Sequence, residues 1–91
     1  MSHKIRMFAL SQYLDAALKL AEYERDEDGV IVARVPNAQS FFSQGDTFEE
    51  ARENLRDAIE GNVLLALQRG YPIPVIEGVT IEEYDAETVP A

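Results

Sequence analysis

The spacing of the apolar residues changes at Ala21, and this change most constrains what the chain can fold into. Upstream, the segment 10–20 (LSQYLDAALKL) repeats apolar residues at steps of three and four. This spacing predicts an amphipathic helix, with Ser11 as its N-cap. Downstream, two alternating runs, AEYER and VIVARV, flank the turn 26–29, which ends in Asp-Gly. That arrangement is typical of a β-hairpin, so the chain must combine helices with antiparallel strands.

The second strand of this hairpin carries apolar residues on both of its faces. Such a pattern over 30–35 predicts a central strand, which Pro36 ends because proline has no N–H to donate to a neighbouring strand. The following run, SFFSQ, predicts a third short strand with Phe41 and Phe42 on opposite faces. One of these two aromatic rings must then point away from the core.

A long helix is predicted to follow. Thr47 and Glu50 fit a capping box, and Gly70, followed by two prolines, marks the end of the helix. Its first half has one apolar stripe, whereas 63–67 is apolar nearly all round. The surplus leucines lie either under the N-terminal helix or in an interface between subunits. The residues that we assign to this candidate interface are Val63, Leu64 and Leu67.

The segment 74–81 is predicted to be extended, with a bend at Gly78, and suits the edge of a sheet. The predicted fold class is therefore α+β. A small antiparallel sheet (three strands, helix, strand) carries the long helix across one face, and a short helix precedes it.

The length of 91 residues predicts a single domain, 1–91. The ends, 1–9 and 83–91, are expected to be flexible. For the N-terminal end, a frayed terminus is favoured over a docking arm or the strand of a ribbon-helix-helix unit.

The charge of the chain excludes several classes of function. With 17 Asp and Glu against 8 Lys and Arg, the net charge is −9. This opposes a free-standing nucleic-acid binder and attachment to an anionic membrane, and favours a basic partner. The chain has no cysteine, which excludes a disulfide framework, a thiolate zinc site and a cysteine nucleophile. Because no apolar run has the length of a membrane span, we expect a cytoplasmic protein with no membrane contact.

The densest cluster of titratable residues lies in the first strand of the hairpin and its turn: Glu22, Glu24, Asp26, Glu27 and Asp28. Clustered carboxylates suit divalent cations, but two of these lie on a strand and three in a turn whose composition hairpin geometry already explains. We expect a solvated turn, or a docking surface for a basic partner, and no metal site. His3 is the only histidine, and no serine or threonine has a local activating partner. The expectation is a protein without catalytic residues or cofactor, not an enzyme.

Several segments together resemble one family. The turn DEDG, the strand end Val35-Pro36, the run QGDTFEEARENLRDAI (44–59) and the exit RGYPIP (69–74) are similar, in order and spacing, to the HicB-like antitoxin family. The resemblance covers about 18–82, which is therefore the expected core of the domain. It implies a partial RNase H-like domain without catalytic function. It also implies an antitoxin that binds a small basic mRNA-cleaving toxin of HicA type and covers its RNA-cleaving surface.

The resemblance also yields expectations about assembly. The carboxylates of the cluster, together with Phe42, are the candidate toxin-binding residues, and a homodimer or homotetramer is expected. Direct DNA binding is not expected, since no DNA-binding domain follows the core. Two alternatives stay open: an oligomeric protein-binding scaffold without a toxin, and a metal-dependent RNase H-like nuclease that uses the carboxylate cluster.

Overall fold

The computed structural model describes residues 4–85. It contains five strands and two helices, which are β1 (Lys4–Met7), α1 (Leu10–Leu20), β2 (Glu22–Arg25), β3 (Ile31–Val35), β4 (Ala38–Gly45), α2 (Phe48–Arg69) and β5 (Glu82–Asp85). Three strands form an antiparallel sheet in the order β2-β3-β4, and β1 pairs with β5 in a separate two-stranded sheet. The helix α2 packs on β3 and β4, with α1 beside it. The α+β prediction, with the long helix across one face of the sheet, is confirmed.

The β2–β3 hairpin is shaped by its turn. The Asp26 carboxylate accepts hydrogen bonds from the N–H groups of Asp28 and Val30, both at 2.9 Å. Gly29 takes a positive φ of 83°, which a residue with a Cβ would adopt only under strain. The hairpin predicted from Asp-Gly is therefore present, and its turn uses the aspartate as well as the glycine.

The strand β3 is the central strand of the sheet, as its apolar faces predict. Its inward-facing residues, Ile31, Ala33 and Val35, are buried. On the neighbouring β4, Phe41 is 1% exposed and Phe42 is 63% exposed. The two phenylalanines thus lie on opposite faces, and Phe42 is the one that points away from the core.

The helix α2 begins and ends close to the predicted residues. The Thr47 hydroxyl accepts from the Glu50 N–H at 3.1 Å, as an N-cap does. The Glu50 carboxylate accepts from the Asp46 N–H at 3.4 Å, one residue before the N–H that a capping box would use. Gly70 ends the helix in the left-handed conformation. The buried stripe of α2 consists of Ala51, Leu55, Ile59, Val63 and Ala66.

The N-terminal helix is present, but its predicted N-cap is wrong. The cap residue is Ala9, whose side chain cannot accept a hydrogen bond, and Ser11 lies inside the first turn. The reason is tertiary, since Leu10 packs against the core and extends the helix upstream of Ser11. Tyr13 and Leu14 are buried with the core, so the core begins before the predicted residue 18.

The two ends of the described chain differ from expectation. Residues 4–7 and 83–85 lie in ends that were expected to be flexible, but they belong to the antiparallel strands β1 and β5, with Arg6 opposite Glu83. The Arg6 guanidinium donates to the carbonyl oxygens of Ala66, at 2.8 Å, and of Tyr71. The Ala66 carbonyl lies in the last turn of α2, where it also accepts from the N–H groups of Gly70 and Tyr71. Arg6 therefore ties β1 to the end of α2. Residues 1–3, with His3, and 86–91 lie outside the described part of the chain.

The fourth strand is also displaced from its predicted position. The segment 74–81 is extended and bends at Gly78, whose φ is 86°, but it pairs with no strand. Instead, Ile73 and Ile76 are buried on the core. The strand that follows the long helix is β5, and its partner is β1, which belongs to the two-stranded sheet.

Candidate functional site

One face of the three-stranded sheet is left uncovered by the helices. The β2–β3 register places Glu22 beside Arg34 and Glu24 beside Val32. The β3–β4 register continues these two rows to Phe42 and Gln44 respectively. We call this surface the open sheet face: Glu22, Glu24, Val32, Arg34, Phe42 and Gln44. It brings together three of the residues predicted to bind a toxin, Glu22, Glu24 and Phe42.

The open sheet face has an acidic side and an apolar side. Glu22 and Glu24 lie on β2, with their side chains exposed, and Arg34 separates Glu22 from Phe42. The Phe42 ring is more exposed than those of Phe48 and Tyr71, the other two exposed aromatic side chains that lie in residues 4–83. Burying an exposed phenylalanine contributes about 1.5–3 kcal/mol, so this ring is suited to anchor a partner.

The acidic residues of the turn occupy a different position. Asp26, Glu27 and Asp28 lie at the end of the hairpin, beyond the open sheet face, and are exposed. The Asp26 carboxylate is already engaged by two backbone N–H groups of the turn. Within residues 4–85, no three His, Asp or Glu side chains are grouped so that they could hold a metal ion. The nuclease alternative therefore has no candidate metal site in this part of the chain.

A second exposed surface lies on α2. Leu64 and Leu67 are 44% and 38% exposed, so α1 does not cover them. We call these two residues the α2 leucine patch. Val63 is 1% exposed and belongs to the core of the protomer, so its side chain is not accessible to a second copy. Of the three predicted interface residues, only Leu64 and Leu67 are on the surface.

Sequence reasoning missed three residues of the open sheet face: Val32, Arg34 and Gln44. The signal was present in the hairpin, because a turn at 26–29 fixes which residue of β3 lies opposite each residue of β2. The register between β3 and β4 was less accessible, since it contains a bulge between Arg34 and Val35.

Neither helix of residues 4–85 has the composition of a membrane span. The longest, α2, has 22 residues, but charged side chains recur along it. In the described residues, neither helix is both long and apolar enough to cross a bilayer.

Comparison with known proteins places this surface in a family context. A family model described as UPF0150-like matches residues 12–74, which include the open sheet face and α2 but not β1 or β5. The UPF0150 protein ssr1258 of Synechocystis sp. is 46% identical over 37 residues, 41% of this chain and 54% of that protein. The chain therefore spans about half the length of this curated relative.

A solved structure is similar over a larger share of the chain. The crystal structure of TTHA0281 from Thermus thermophilus matches with a TM-score of 0.73 and 31% identity. The match covers 80% of this chain and 91% of the other.

Proposed function

Because the chain belongs to the UPF0150-like family, whose fold is HicB-like, we propose that it is an antitoxin which binds and covers a small basic ribonuclease toxin of HicA type. In this proposal the chain catalyses no reaction itself. Since such a toxin cleaves mRNA, both proteins would act in the cytoplasm. The observation that carries the proposal is the open sheet face, with its carboxylates and its exposed Phe42.

Charge complementarity supports this assignment. The chain has a net charge of −9, whereas a protein that binds RNA must be basic to neutralise phosphates. Opposite net charges accelerate the encounter of two proteins and disfavour wrong partners. Glu22 and Glu24 place part of this negative charge beside the surface where contact would be made.

The anchor of the complex is expected to be Phe42. Most of the binding free energy of an interface comes from a few buried side chains, among which aromatic residues are common. A partner that covers Phe42 removes its ring from water and leaves Glu22 and Glu24 at the rim, where they can pair with Lys or Arg. Phe42 therefore supplies affinity, while the glutamates set the orientation.

The proposal is tested with a small basic protein encoded next to the gene for this chain. The two purified proteins are titrated at low salt in a calorimeter, and co-expression is tested for rescue of growth. We expect Phe42→Ala to weaken binding by at least about tenfold, equivalent to about 1.4 kcal/mol. The matched control is Tyr71→Ala, which removes another exposed aromatic ring outside the open sheet face. Absence of binding at low salt, or an equal effect of both variants, would overturn the proposal.

A second candidate function is favoured by the α2 leucine patch. Leu64 and Leu67 are exposed in one protomer, and exposed leucines on one side of a helix suit an interface between copies. The chain would then be an oligomeric protein-binding scaffold, a homodimer or homotetramer, with no toxin. The two candidates share an oligomeric state, so only the basic neighbour distinguishes them.

A further inference from the structure

The two edge strands of the three-stranded sheet, β2 and β4, differ in whether their outward backbone groups are hydrogen-bonded. At the β4 edge, the side-chain amide of Asn54 donates to the Gln44 carbonyl at 2.8 Å. Asn62, two turns further along α2, donates to the Ser40 carbonyl at 3.4 Å. These two asparagines occupy backbone carbonyls with which an added strand would have to form hydrogen bonds. They therefore block the β4 edge against strand addition.

At the opposite edge, the strand β2 exposes backbone groups. The Asp26 N–H donates to the Val30 carbonyl at 2.9 Å, which makes these two residues a hydrogen-bonded pair. Antiparallel strands alternate between hydrogen-bonded and non-bonded pairs. Counting back from Asp26 in the β2–β3 register, the pairs of Glu24 with Val32 and of Glu22 with Arg34 are hydrogen-bonded. The N–H and C=O groups of Tyr23 and Arg25 therefore point outward, away from β3.

The side chains of β2 differ between its two faces. Glu22 and Glu24 lie on the open sheet face. Tyr23 and Arg25 lie on the other face, where both contact Phe48. The Tyr23 ring centroid is 6.0 Å from that of Phe48, and the Arg25 guanidinium carbon is 5.8 Å from the same centroid. A strand added to β2 would meet carboxylates on one face and aromatic surface on the other.

From this arrangement we propose that the β2 edge receives an extended segment of the basic partner as a fourth, antiparallel strand. The segment that fits has Lys or Arg alternating with apolar residues. Its basic side chains lie beside Glu22 and Glu24, and its apolar side chains lie beside Tyr23 and Phe48. The inference rests on the proposed function for the partner, and adds how that partner docks.

The backbone geometry of β2 determines which residues of an added strand would form hydrogen bonds to it. In an antiparallel addition, the residues opposite Tyr23 and Arg25 form the bonded pairs, and their side chains point to the Phe48 side of the sheet. These are the apolar residues of the added segment. The segment's apolar residues must therefore keep their N–H groups, whereas the N–H groups of its basic residues point away from β2.

The probe is the peptide acetyl-Lys-Val-Arg-Val-Lys-Val-amide, titrated into the intact chain at low salt and followed by amide hydrogen exchange. We expect the Tyr23 and Arg25 amides to slow by at least about tenfold, while Glu22 and Glu24, already bonded to β3, change little. N-methylation of the valines should weaken binding by about tenfold, since two hydrogen bonds are lost. N-methylation of the Lys and Arg residues should leave it within about twofold. Equal binding of the two methylated peptides, or no binding of the parent peptide, would overturn the inference.

Charge variants provide a second, independent readout. Glu22→Gln combined with Glu24→Gln should weaken peptide binding and reduce its salt dependence. The control is Glu53→Gln combined with Asp57→Asn, which removes the same charge from exposed positions of α2. Equal effects of the two double variants would contradict the proposed contact. Concentration-dependent protection of Tyr23 and Arg25 without peptide would also overturn it, because a second copy would then occupy the edge.

Failure of the inference is distinguishable from failure of the proposed function. If the basic neighbour binds but the Tyr23 and Arg25 amides exchange as in the free chain, the partner docks elsewhere and the β2 inference is wrong. If the peptide binds at β2 but no basic neighbour does, the edge is a strand-binding site and the antitoxin proposal is wrong.

Discussion

Tyr13 joins the N-terminal helix to the segment that follows α2. Its side chain is 0% exposed, and its hydroxyl donates to the Pro74 carbonyl. The ring packs edge to face against Phe8 and Phe41, with centroids 5.7 and 6.3 Å away. Burial raises the pKa of the Tyr13 hydroxyl to about 12, because the ionised phenolate would lose its water.

This pKa shift predicts a loss of stability at alkaline pH. The unfolded tyrosine ionises near pH 10, while the folded one keeps its proton until about pH 12. The stabilisation is therefore complete below pH 10 and decreases by about 1.4 kcal/mol per pH unit between these values. Urea unfolding at pH 8 and pH 11 should show this decrease in the parent chain but not in Tyr13→Phe. Tyr71→Phe, at an exposed ring, should behave as the parent; an identical pH slope in Tyr13→Phe would contradict the prediction.

Gly45 sits where β4 passes closest to the start of α2. A Cβ at this position would lie 2.6 Å from the Ala51 nitrogen and 3.0 Å from backbone of Glu50, neither of which can move without displacing the helix. We expect Gly45→Ala to lower the free energy of unfolding by about 1–3 kcal/mol. Gly61→Ala is the matched control, since a Cβ there meets nothing within 4 Å. That change should stabilise α2 by about 0.5–1 kcal/mol, because alanine favours helix. Equal unfolding midpoints in urea for the two variants would refute the close approach.

The helices and strands that could be predicted from the sequence are those whose ends are set by residues close together in the chain. The β2–β3 hairpin and α2 were predictable because their turn, cap and stop are set by nearby residues such as Gly29, Thr47 and Gly70. The pairing of β1 with β5 could not be predicted, because it joins residues almost eighty positions apart. It also depends on the contact between Arg6 and the end of α2. The same limit applies to the candidate site. Its residues on β2 could be predicted. The hydrogen bonds from Asn54 and Asn62 that block the β4 edge could not, because they depend on how α2 crosses the sheet.

The α2 leucine patch predicts self-association through this helix. Leu64→Glu places a charge on the patch without entering the core, since Leu64 is exposed in the protomer. We expect this variant to lower the mass measured by light scattering, because burial of a carboxylate in an interface is unfavourable. Gln39→Glu adds the same charge at an exposed position of β4, outside α2, and should leave the mass unchanged. An unchanged mass for Leu64→Glu would mean that copies associate through another surface.

Across the whole molecule, the two exposed surfaces lie in different layers. The open sheet face points away from the helices, whereas the α2 leucine patch is part of the helical layer. A partner on the sheet and a second copy on α2 therefore do not compete for the same side chains. Self-association through α2 would present one open sheet face per protomer, so each copy in an assembly would retain its own site for a basic partner.

The net charge of −9 gives this arrangement a measurable kinetic signature. Long-range attraction accelerates encounter and is screened as the Debye length falls from about 10 Å at 0.1 M salt to about 3 Å at 1 M. Contacts made by Phe42 are apolar and short-ranged, so salt affects them little. Stopped-flow measurements with the purified basic neighbour should show an association rate that falls about tenfold or more between 0.05 and 0.5 M salt, with a dissociation rate that changes far less. Phe42→Ala should have the opposite effect to salt: the dissociation rate should rise, while the association rate should stay nearly unchanged. An association rate independent of salt would show that charge does not steer the complex, and the acidic residues would then need another explanation.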